Sequence, residues 1–169
     1  MEPMSKSGLY IDDTGGISVA EIRSKCRRLK ARRGLDMIVI DYLQLMQSER
    51  KTDSRVLEVG DISRGLKLLA KDLKIPVICC AQLSRGPESR TDKRPMLSDL
   101  RDSGAIEQDA DIVLFLYRDE YYKEPGEGEQ SVAECIVAKN RHGSTGTVKL
   151  GWIGQFTKFI TQDFEHEEP

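Results

Sequence analysis

Two polar residues stand where apolar runs stop. Met37-Ile-Val-Ile40 ends at Asp41, and the run from Val77 to Ala81 ends at Gln82. Continuous apolar runs of this length suit strands covered on both faces, as in parallel sheets. Ligands of open α/β sheets gather at the carboxyl ends of such strands. A carboxylate placed there can hold a magnesium ion through its hydration shell, because magnesium keeps several waters and takes hard oxygen donors. A neutral amide there can donate to a phosphate oxygen and accept from a water or a neighbouring loop, so it can register hydrolysis. Each feature alone also has a plainer account. Any parallel strand ending in a turn can present an Asp, and a Gln can simply satisfy a strand end. Arg141, beside Gly143, reads by itself as a solvated turn residue.

The elements that would position these residues follow from apolar spacing. Ser18-Val-Ala-Glu21 has the capping-box form of a helix start. Val19, Ile22, Cys26 and Leu29 then recur at helical period, with Gly34 as the C-cap. Val56, Val59, Ile62, Leu66, Leu69 and Leu73 trace a second amphipathic helix over about Arg55 to Lys74. The covered-strand pattern returns at Ile112 to Leu116, and Leu9 to Ile11 reads as a short strand before the turn Asp12 to Gly16. Strand, helix and strand in succession predict an α/β layer architecture. Ser84 to Ser98 and Tyr122 to Gln130 read as loops. Ala133 to Ala138, Thr147 to Trp152 and Phe156 to Ile160 then read as strands closing the chain in a β-hairpin or meander.

The 169 residues fit one domain, and 38% hydrophobic with 32% charged residues is a globular composition. No apolar run is long enough to span a bilayer, so a soluble, cytoplasmic protein is expected. The net charge is -2, which gives no global attraction to nucleic acid. That average hides contrasts. The last seven residues hold four acids, while Arg23 to Arg33 holds seven bases. This basic face reads first as a solvated or subunit-facing surface and second as a DNA contact. Four cysteines without CxxC spacing read as buried free thiols in a reducing compartment, with no structural metal site.

Together, several segments are specific. DYLQLM at Asp41–Met46, AQLSR at Ala81–Arg85, KRPMLSDLRDSGAIEQDADIVLFLYRDEYY at Lys93–Tyr122 and KNRHGSTGTVKL at Lys139–Leu150 resemble the replicative DNA helicases of the DnaB family. The resemblance runs from about Leu9 to Ile160. It implies a RecA-like P-loop NTPase core with a mostly parallel sheet, and a ring hexamer that uses ATP and Mg2+ to unwind duplex in the 5′ to 3′ direction. By resemblance Asp41 matches the Walker B aspartate, holding magnesium through water. Gln82 matches the residue coupling nucleotide to the DNA loops. Lys139 and Arg141 match the basic pair reaching a neighbouring subunit's nucleotide, with Arg141 as arginine finger. Leu100 to Gly104 resembles the central-channel loop, in which Arg101, Asp102 and Gly104 would meet single-stranded DNA and Gly104 would allow close backbone approach. Ser48 to Ser54 would be the other channel-facing loop. Implied partners are single-stranded DNA, other helicase subunits, primase and a helicase loader.

The sequence also departs from the family pattern. It contains no GxxxxGK[ST] phosphate loop; in the family this loop and the water-activating glutamate lie upstream of the matched segment. Asp102 stands where Glu is common, Asn140 where Gln is common, and His142 and Ser144-Thr145 replace Asn and Pro. The expected organisation is an extension at 1–8, a partial ATPase domain at 9–162 and an acidic tail at 163–169. Such a chain would be inactive alone, and oligomeric or marginally stable through apolar surface left uncovered. A reading of another class is a non-catalytic assembly module that inserts into a helicase ring.

Overall fold

Ser18 starts the first helix as its spacing predicts. Its Oγ accepts from the Glu21 amide at 3.3 Å, and the Glu21 carboxylate accepts from the Ser18 amide at 2.8 Å. The helix, α1, spans Val19–Arg33 and stops at Gly34, whose φ of 82° favours glycine. The computed structural model describes residues 7–50, 52–122 and 131–161, with main chain only for 101–103. It divides into two units, residues 1–82 and 83–169.

In the first unit, α2 spans Arg55–Leu73 and closes on Lys74 in the left-handed region. Val59, Ile62, Leu66, Leu69 and Leu73 are buried along one face, as the apolar period requires. Gly65 marks where the helices meet: a Cβ there would lie 3.2 Å from both methyls of Val19. The short strands β1 (Ile38–Ile40) and β2 (Val77–Cys79) pair in parallel, Ile38 opposite Val77 and Ile40 opposite Cys79. Both strands leave apolar residues outside, Val39 at 60% exposure and Ile78 at 51%. Within this chain they are therefore covered on one face, not both. Leu9 to Ile11 is not a strand; the run is exposed and pairs with no strand among the described residues.

Three of the seven bases from Arg23 to Arg33 pair within the unit. Arg27 pairs with Asp72 at 2.6 Å, Lys25 with Asp12 at 2.7 Å, and Lys30 donates to the Leu73 carbonyl at the end of α2. Arg28, Arg32 and Arg33 remain exposed.

The second unit is a four-stranded antiparallel meander in the order β3 (Ile112–Arg118), β4 (Ser131–Asn140), β5 (Gly146–Ile153) and β6 (Lys158–Ile160). The closing meander is as expected, but β3 departs from the covered parallel strand that its apolar run predicts. It pairs antiparallel with β4, Phe115 opposite Ile136, and alternates buried Val113, Phe115 and Tyr117 with exposed Ile112, Leu114 and Leu116. Parallel pairing between strands of the described residues is thus confined to β1 and β2, and β3 to β6 form a separate antiparallel sheet. Before β3 lie a 3₁₀ stretch at Leu97–Ser103 and a short helix, α3, at Gly104–Asp109. Leu100, Val113 and Phe115 form a buried cluster with Leu83, Leu97 and Ile106 packed on it.

The loop expected at Ser84 to Ser98 holds a 3₁₀ turn at Gly86–Ser89 with Pro87 buried. Of the second loop, Tyr122 ends a 3₁₀ turn at Asp119–Tyr122, and 123–130 lie outside the described residues, as does the acidic tail. All four cysteines are free thiols, but none is fully buried as expected: Cys26, Cys79 and Cys135 are half-buried and Cys80 is exposed. Among the described residues no helix is long and apolar enough to cross a membrane, and no cluster of three metal-ligating side chains occurs.

Candidate functional site

Asp41 leaves β1 and Gln82 follows β2 by three residues, so the parallel pairing brings both to the same end of the two-stranded sheet. Both are exposed. The strand ends are fixed by backbone bonds: the Cys80 amide donates to the Ile40 carbonyl and the Leu43 amide to the Cys80 carbonyl, each at 2.9 Å. The Asp41–Tyr42 peptide is cis.

A residue that the sequence pattern does not flag holds Gln82 in place. The Gln44 side-chain amide donates to the Gln82 carbonyl and accepts from the Gln82 amide, both at 3.2 Å. Gln44 is itself fixed through its carbonyl, which accepts from Arg55 Nη2 at 3.1 Å. This two-way grip is on the main chain of Gln82, and the side chain extends from a fixed base. The position of Gln44 in DYLQLM is the available signal, but no periodicity marks it. Within the expected channel-facing loop at Ser48 to Ser54, Glu49 accepts from the Ala20 amide at 2.9 Å, satisfying a second free donor of the first turn of α1.

The other candidates belong to the second unit. Lys139, at the end of β4, donates to the Glu107 carbonyl and, at 2.7 Å, to the Ala110 carbonyl. Arg141 donates from Nη2 to the Gln108 carbonyl at 3.1 Å and lies 3.3 Å from the Asp111 carboxylate. Both therefore grip the C-terminal end of α3, where helix carbonyls lack helical partners. Lys139 is part-buried, whereas the Arg141 side chain is 46% exposed.

The same short helix begins at Gly104, directly after the stretch that carries Arg101 and Asp102. The main chain of 101–103 is in the 3₁₀ stretch, and the side chains of Arg101 and Asp102 lie outside the description. Gly104 has ordinary right-handed angles (φ −53°, ψ −24°) and open space where a Cβ would stand. The fold itself does not require glycine there. The geometry thus forms two groups, Asp41 with Gln82 in one unit and Lys139 with Arg141 behind the 97–104 turn in the other.

A cation–aromatic patch also lies outside the residues that the sequence pattern singles out. Arg118 lies 4.4 Å from the centre of the Trp152 ring and 5.7 Å from that of Tyr121, and Tyr121 packs edge-on against Tyr122. Flat cations and rings of this kind stack on planar groups. YRDEYY in the sequence is its signal.

A parallel strand pair with Asp and Gln beyond its carboxyl ends, followed in the chain by an antiparallel meander, is consistent with a fragment of a RecA-like core. The comparisons narrow this class. The family described as DnaB-like helicase C terminal domain matches residues 1–161, and the chain belongs to that family. It is 58% identical over 161 residues to the replicative DNA helicase DnaC of Bacillus subtilis (strain 168), covering 95% of this chain and 35% of that protein. It is 54% identical over 169 residues to the replicative DNA helicase DnaB of Geobacillus stearothermophilus, covering 99% of this chain and 37% of that protein. The chain thus spans just over a third of the length of these curated relatives. Among solved structures, a DnaB-like replicative helicase, described with its interactions with primase, superposes with a TM-score of 0.89 at 46% identity, over 96% of this chain and 40% of that one. A second solved structure, described as an ATPase domain, gives the same score and identity over 57% of its chain.

Proposed function

We propose that this chain supplies the second half of a helicase motor site, in a ring that couples ATP hydrolysis to 5′ to 3′ movement on single-stranded DNA. The observation that carries this reading is the placement of Asp41 and Gln82 at the same, carboxyl-terminal end of paired parallel strands, Asp41 directly after β1 and Gln82 three residues after β2. Asp41 is an exposed, hard oxygen donor without two further ligating side chains among the described residues. That fits a hydrated magnesium ion held through water, and does not fit a cage of protein ligands. Bound there with ATP, magnesium would neutralise phosphate charge. Gln82, fixed at its main chain by Gln44, presents its amide to the terminal phosphate and answers to the state of the nucleotide. Arg141 reaches a neighbouring subunit's nucleotide, so that hydrolysis waits on assembly. Lys139 joins it only by exchanging its carbonyl partners on α3 for phosphate oxygens. Arg101, Asp102 and Gly104 contact the DNA backbone, a sequence-independent mode suited to a translocating motor. A hexamer, with primase and a loader as partners in the cytoplasm, completes the reading.

Because the 169 residues hold no GxxxxGK[ST] loop, the isolated chain is expected to show no ATPase activity. The test replaces the matched segment of Geobacillus stearothermophilus DnaB with this chain and measures DNA-stimulated ATPase. Asp41→Ala and Arg141→Ala should each lower the rate by about a hundredfold or more. Wild-type rates in Asp41→Ala would defeat the reading. The assembly-module alternative is favoured by one observation, the exposed apolar residues Val39 and Ile78 on β1 and β2. It predicts that the isolated chain lowers the activity of a full-length ring when mixed with it.

A further inference from the structure

Asp99 is 4% exposed, and a carboxylate so buried must be paired. Both its oxygens are used. Oδ1 accepts from Arg90 Nη1 at 2.7 Å, and Oδ2 accepts from Arg90 Nη2 and from the Met96 amide, each at 2.8 Å. The Asp99 carbonyl accepts from the Ser84 amide at 3.1 Å. Gly86 leaves room for the pair, since a Cβ there would come within 3.1 Å of Asp99 Oδ1. Arg90 spends further donors on its own segment, Nη2 on the Arg94 carbonyl at 2.8 Å and Nε on the Asp92 carbonyl at 3.4 Å. One guanidinium therefore ties residues 90–94 to the start of the 97–103 stretch.

A second ion pair bolts this assembly to the sheet. Arg94 makes a two-pronged contact with Glu134 on β4 at 2.9 and 2.7 Å, and its guanidinium lies 5.1 Å from the centre of the Tyr117 ring on β3. Lys93 sits 4.6 Å from the Tyr122 ring centre. Leu100, next to Asp99, is buried against Val113 and Phe115. The main chain is thus pinned at Asp99 by charge and at Leu100 by apolar packing, immediately before Arg101. A polar segment of no periodic pattern is a brace.

We propose that Arg90 is a positioning residue for DNA binding: through its two-pronged bond to Asp99 it sets the main chain from which Arg101 extends. Arg90 need not touch DNA to do this. The proposal rests on the reading that Arg101 meets the DNA backbone.

The test measures oligo-dT binding by fluorescence anisotropy at fixed salt, in the Geobacillus stearothermophilus DnaB ring carrying this chain's segment. Arg101→Ala should weaken binding about tenfold, and Arg90→Ala by a similar factor. The double variant should bind no worse than Arg101→Ala alone, and Arg90→Lys should recover part of the loss. Amide exchange in β3 and β4 of the same ring checks that Arg90→Ala leaves the sheet intact. If it does not, the same comparison is read on Asp99→Asn, which keeps the side-chain volume. Wild-type binding in Arg90→Ala, with Arg101→Ala weakened, overturns the brace and leaves the DNA reading standing. Losses that simply add in the double variant also overturn it, because Arg90 would then act elsewhere. Unchanged binding in Arg101→Ala removes the DNA reading and the proposal together.

Discussion

Ion pairing sets the acid response of the second unit. The Arg90 guanidinium holds the Asp99 carboxyl below its ordinary range, and Arg94 does the same for Glu134. A carboxylate depressed in the folded chain contributes stability that is complete above its unfolded pKa and is lost as pH falls through the folded value. Urea midpoints should therefore hold near neutrality and fall as pH drops below about 4. Glu134→Gln should remove part of that dependence while lowering the midpoint at pH 7. An unchanged acid slope in this variant would show that the pair does not contribute. None of this is legible in the sequence. Arg90 and Asp99 lie in a stretch of no period, and the partners of Lys139 are carbonyls 29 and 32 residues away, which side-chain type cannot announce. Asp41 and Gln82 are legible because strand ends are marked by a change from apolar to polar.

At the scale of elements, α1, α2 and the closing meander are readable from the sequence, whereas α3 and the pairing of β3 are not. The capping box at Ser18, the buried stripe of α2 and the glycine stop at Gly34 all follow from local chemistry. The direction in which β3 pairs does not. A run such as IVLFL fits a parallel or an antiparallel partner alike, and only the return of β4 settles it. Close packing of α1 on α2 gives two predictions. Leu69→Ala, at a fully buried site, should cost about 2–5 kcal/mol in chemical denaturation. Gly65→Leu should cost about 1–3 kcal/mol by forcing Val19 away, whereas a substitution at an exposed α2 position such as Arg64→Ala should change little.

At the scale of the whole chain, apolar side chains remain in water on strands of both units, Val39 and Ile78 in one, Leu114 and Leu116 in the other. Exposed strand surface of this kind associates. Sedimentation of the isolated chain should show concentration-dependent assembly, and Val39→Lys with Leu116→Lys should shift it toward monomer. A wild-type chain that stays monomeric at high concentration would count against this. Such surface is expected from the sequence, but no residue there is marked as carrying it. Which residues carry it becomes visible only when one face of each strand proves bare.

The two neighbouring thiols at the end of β2 differ in a way that makes the chain a convenient optical instrument. Burial pushes the Cys79 thiol up to about 12, so it stays protonated and unreactive near neutral pH, while Cys80 is exposed. A maleimide dye should modify Cys80 well before Cys79. Its emission would come from two residues before Gln82, where a change in the amide's surroundings could be followed in real time without altering any residue assigned to nucleotide or DNA.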